Sequence, residues 1–177
     1  MARLARPWSV AAAGLTAAHH AVELSAGVGL VFQAELGLVG ASALWGLQLP
    51  TWAALAARGG RRCDGVLAAT AGTALAGSLV HWAIWPRRRG PLGLPVVTEA
   101  EGLPEGILPA YSALLHVWAA AAALAVVVDA PRESRRWALA GLAAAPVLAL
   151  SARHHFTWIR REALERPAWW NRAAATA

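Results

Sequence analysis

The chain has 177 residues, 58% of them hydrophobic, ten tryptophans and a mean hydropathy of +0.44, which argues against a soluble domain and for a single all-α membrane domain. Its net charge of +6 rests on arginine alone, so Schiff-base chemistry through lysine is excluded, and the arginines sit in short clusters between apolar runs, as topology signals and headgroup anchors rather than a nucleic-acid surface. The lone Cys63 excludes an internal disulfide, a paired-thiol redox centre and haem attachment through Cys-x-x-Cys-His.

The first predicted span, residues 8–33, follows Arg3 and Arg6 and carries His19, His20 and Glu23 near its middle. About 20 mostly apolar residues cross the hydrocarbon. An ionised carboxylate at the centre of a span costs roughly 2.5–3.5 kcal/mol, so Glu23 must be protonated, paired or facing a polar cavity. At about 100° per residue, Glu23 lies about 40° round the helix from His19 and about 60° from His20, within reach of either imidazole. Ala21, Ser25 and Gly29 make a small-residue row for close helix approach. A cleaved signal sequence ending at Thr16-Ala17-Ala18 is the weaker alternative, because residues 21–32 alone are too short to span.

A second span, 36–57, contains Gln48 and Pro50, and the proline predicts a kink by freeing the carbonyl of Gly46. Residues 58–65, basic and glycine-rich, are a connector. The third span, 66–85, has Ala68, Gly72 and Ala76 at a spacing of four and ends in His81, Trp82, Trp85 and Pro86. Residues 87–109 form a long, mixed segment, a possible lid, in which Thr98 and Glu101 are spaced to cap a short helix. The fourth span, 110–129, begins with Tyr111, Ser112 and His116. The fifth, 137–159, holds Pro146, Arg153, His154 and His155, and the tail 160–177 is expected to be interfacial. The expected architecture is a bundle of five transmembrane helices in the cell membrane, with four spans and a re-entrant or interfacial fifth segment as the alternative.

Five alternating crossings bring the ends of the first, third and fifth spans and the start of the fourth to one side. His81, His116 and His154 then lie about 6, 9 and 8 Å inside their helix ends, Glu23 about 15 Å deep and His20 near the midplane. Three chemistries stay open. In the first, His20, Glu23, His81, His116 and His154 supply ligands to a transition metal, or His81 and His116 serve as axial ligands to a b-type haem, for redox or metal-dependent chemistry. In the second, Glu23 is a catalytic acid/base acting on a lipid or isoprenoid substrate, in a pocket lined by Trp82, Trp118 and Trp158. In the third, the polar residues hold together a structural or assembly subunit whose partners are other membrane proteins. There is no phosphate-cradling glycine loop, no Asp-rich prenyl-diphosphate motif and no Gly-x-Ser-x-Gly elbow.

Overall fold

The computed structural model describes residues 5–58, 60–100 and 102–175; Arg3, Gly59 and Glu101, the last with its expected cap opposite Thr98, lie outside the described residues. Helix α1 (Pro7–Ala26) opens with proline in its first turn, where a missing N–H costs nothing. It stops at Gly27, whose left-handed φ of 86° lets the chain close a Schellman turn. There the Gly27 N–H donates to the Leu24 carbonyl at 3.1 Å and the Val28 N–H to the Glu23 carbonyl at 3.0 Å. The helix therefore ends seven residues short of position 33. Glu23 lies about 4–5 Å from its end, not about 15 Å deep.

Residues 27–32 turn into helix α2 (Gln33–Arg58), with the Gln33 side-chain oxygen accepting from the Leu30 N–H at 3.0 Å. The residue of α2 that leaves helical dihedrals is Gly37 (φ 68°, ψ 171°), whereas Pro50 stays within the helix. Helix α3 (Asp64–Ile84) and helix α4 (Leu108–Leu124), the latter prolonged by a π-helical turn to Asp129, lie close to the expected third and fourth spans. With their flanking turns, Arg61–Ile84 and Glu105–Asp129 are long and apolar enough to cross a membrane. The fifth apolar run is broken into α5 (Arg136–Leu142) and α6 (Ala145–Glu165), and Pro146 falls in the first turn of α6. Helix α6 runs six residues beyond the expected end at Ile159.

Contacts between helix ends gather at two ends of the bundle. At one end Arg6 forms a buried ion pair with Asp64, and Asp129 accepts a hydrogen bond from the Ser9 N–H at 2.7 Å. At the other end the Ala173 N–H donates to the Gly27 carbonyl at 3.2 Å, so the C-terminal turn Arg172–Ala175 closes over the end of α1. Helix α1 packs on α2 and α4, and α3 on α4 and α5. The α3–α5 seam is made by glycines: a Cβ on Gly72 would collide with the Ala138 carbonyl, and one on Gly141 with the Ala69 carbonyl. The outward faces are apolar, with Val39 83%, Leu47 71%, Leu139 68% and Leu150 67% exposed.

Between α3 and α4 the long segment folds into a small antiparallel hairpin, β1 (Arg87–Arg89) and β2 (Pro95–Val97), with Arg87 opposite Val97. Val97, Ala100 and Leu103 are buried, and the Val97 N–H donates to the Ser112 hydroxyl at 3.0 Å. These anchors make the segment a packed cap on the start of α4.

Candidate functional site

Three helices converge on Glu23 from the same end of the bundle. Because α1 stops at Ala26, Glu23 sits three residues from its end; His81 sits three residues from the end of α3, and Tyr111 three residues into α4. All three side chains are therefore level, about 4–5 Å inside.

The Glu23 carboxylate, with its side chain 12% exposed, meets His19 Nε2 at 3.3 Å, His20 Nδ1 at 3.7 Å and His81 Nε2 at 3.6 Å. The Tyr111 hydroxyl donates to Glu23 Oε1 at 2.9 Å. Aromatic rings hold the imidazoles in place: Trp118 stacks on His19 with centroids 4.8 Å apart, Trp45 lies 4.1 Å from His20, and His81 meets His19 edge-on at 4.7 Å.

The hydrogen-bond partners fix the tautomer of one ring. His81 Nδ1–H donates to the Gly77 carbonyl at 2.7 Å, so in the neutral ring Nε2 presents a lone pair to the carboxylate. Two acceptors facing one another at 3.6 Å need a proton or a cation between them. His19 Nδ1 and both nitrogens of His20 are buried and find no hydrogen-bond partner among the described residues. One ligand atom each from His19, His20 and Glu23 fall within 4.8 Å of one another. A four-coordinate ion with bonds of about 2.0–2.2 Å holds its ligand atoms about 3.4 Å apart, so small side-chain rotations close this set on a metal. The residues fit the group.

Of the sequence candidates, His20, Glu23 and His81 are brought together. His116 is placed elsewhere: its Nδ1–H donates to the Ser112 carbonyl at 2.6 Å and its ring packs against Trp82 at 4.8 Å. His154 lies in an exposed pairing with Glu35 at 3.9 Å, on the outside of α6. Its neighbour His155 points inward, its Nε2–H donating to the Val28 carbonyl at 2.9 Å. His19, Tyr111 and His155 are the residues the sequence reading left out of the site. The i, i+4 spacing of His19 and Glu23 was the signal for the first, and nothing local marked the other two.

Beside this cluster lies a cavity of about 350 Å³ between α1, α2, α3 and α6. Its walls are mostly apolar, its polar side chains include His19, His20, Glu23 and His81 with Gln48, Thr70 and His155, and no described residue of the 87–109 segment lines it. The arrangement can hold a cation at the cavity wall, or move a proton there. No known protein family, curated protein or solved structure matches the chain.

Proposed function

We propose that the chain is a five-crossing membrane protein that holds one divalent first-row transition-metal ion, of the zinc or iron class, on His19, His20, Glu23 and His81, and that the site performs metal-dependent chemistry in the adjoining cavity. The observation that carries this is the convergence of three imidazole nitrogens, from two helices, on one carboxylate at 3.3–3.7 Å, with His19 Nδ1 and both His20 nitrogens left without a hydrogen-bond partner among the described residues. Imidazole with one carboxylate is a common donor set for these metals. Bound there, the ion supplies Lewis acidity or a redox centre. The Tyr111 hydroxyl orients the carboxylate, the Gly77 carbonyl fixes the His81 tautomer, and Trp118 and Trp45 restrain the two α1 histidines. The haem pairing of His81 with His116 draws no support, since each histidine is committed to a different environment.

Elemental analysis of protein purified without added chelator is expected to give about one zinc or iron per chain. Metal-free protein that also takes up neither ion on titration would overturn the metal reading and favour proton transfer by Glu23 and a histidine.

The membrane crossing is supported by the apolar outward faces and the two helices of spanning length, since an apolar exterior this wide is unstable against water. Five crossings put the termini on opposite sides. Sidedness reporters fused at Ala2 and Ala177 should therefore report opposite compartments, and the same compartment for both would reduce the count to four.

A further inference from the structure

We propose that the cavity beside the Glu23 cluster binds a single apolar chain ending in an uncharged oxygen function, an alcohol or a carbonyl, that enters sideways from the bilayer between α2 and α3. The inference rests on the metal reading only for where the oxygen is placed. The size and chemistry of the cavity carry the rest.

At about 350 Å³ the cavity falls within the roughly 300–1,000 Å³ typical of sites that enclose a small organic ligand. Most of its wall is hydrocarbon, with Val31, Leu49, Val80, Ile84, Leu148 and Phe156 around it. Among the described residues no arginine lines it and Glu23 is the one carboxylate in the wall, and the chain has no lysine. That wall offers an anionic head group no guanidinium to pair with, and sets the Glu23 carboxylate against it. The head group is therefore uncharged.

The unpaired polar atoms say what that head group offers. The indole N–H groups of Trp52 and Trp118 belong to residues of the wall, are buried and find no acceptor among the described residues. An indole N–H can only donate. What it lacks is an acceptor oxygen, which an alcohol or carbonyl supplies and a pure hydrocarbon does not.

The route in follows from shared walls. Gln48, Trp52, Val66 and Thr70 line the cavity and also line a groove on the outside of the bundle between α2 and α3. Leu44 and Leu47 flank that groove and are themselves exposed. The opening is thus on the apolar flank of the bundle, where a membrane-dissolved molecule arrives without crossing water.

The test uses the full-length protein in detergent with three probes of one chain type: farnesol, farnesene and farnesyl diphosphate. Retention of radiolabelled farnesol with saturation near one per chain is expected, and retention of the diphosphate is not. Thr70→Trp, at the half-buried mouth, should lower farnesol retention at least about tenfold. Trp52→Phe keeps an aromatic ring but removes the N–H with the smaller ring, so it should weaken farnesol about 3- to 10-fold more than it weakens farnesene, which reads the packing change alone. Equal or tighter binding of the diphosphate, or unaltered farnesol retention by Thr70→Trp protein with native circular dichroism, would overturn the proposal. The metal reading fails separately: saturable farnesol binding by a protein that holds no metal sinks that reading and leaves this one, whereas a metal-loaded protein that retains no farnesol sinks this one alone.

Discussion

Glu23→Gln is expected to lower the affinity of the protein for zinc or iron by more than about 100-fold while leaving it folded and inserted. Glutamine keeps the shape and can still accept from the Tyr111 hydroxyl, but it removes the anionic ligand around which His19, His20 and His81 are gathered. Loss of a direct ligand should exceed the roughly 10- to 100-fold effect of altering an outer partner, which is the loss expected for Tyr111→Phe. His81→Ala should behave like Glu23→Gln. His116→Ala and His154→Ala, whose rings lie against Trp82 and Glu35, should retain full metal content. Were the cluster only a polar contact between helices, Glu23→Gln would cost about 0.6 kcal/mol of stability and change nothing else. Titration of each purified variant with metal, read beside its thermal unfolding curve, separates the two outcomes.

The largest effect on stability is expected from Gly141→Leu. At this position α5 approaches α3 so closely that even a Cβ would strike the Ala69 carbonyl, and the opposing Gly72 stands in the same relation to Ala138. A leucine there must push the helices apart along a buried seam. Overpacking of this kind costs about 1–3 kcal/mol or more, a large share of the stability of a domain. Near-ultraviolet circular dichroism during heating should show a clearly lowered midpoint, or no folded protein at all. Gly14→Leu is the control, because a Cβ at Gly14 meets nothing within 4 Å. Equal melting of the two variants would show that the α3–α5 contact is not the seam described.

The sequence by itself determined the helical character of the chain, the approximate extents of α3 and α4, and the possibility of an ion pair between Glu23 and the α1 histidines. Those follow from composition and from the 3.6-residue period, which act within one segment. The end of α1 was also written locally, in the left-handed glycine at position 27, but the apolar residues after it masked the stop, and the depth of Glu23 was misjudged with it. Which distant residues complete the site was decided by the tertiary structure alone. The sequence puts His81 and His116 at similar depths, yet only His81 meets Glu23, because α4 starting at Leu108 sets His116 about 12 Å inside and the packing of the helices, at seams such as Gly72 against Gly141, turns its ring to Trp82. His154 and His155 make the same point: neighbours on a helix lie about 100° apart and can meet different surroundings, and the docking of α6 against the Val28 turn is what places His155 inside and leaves His154 outside.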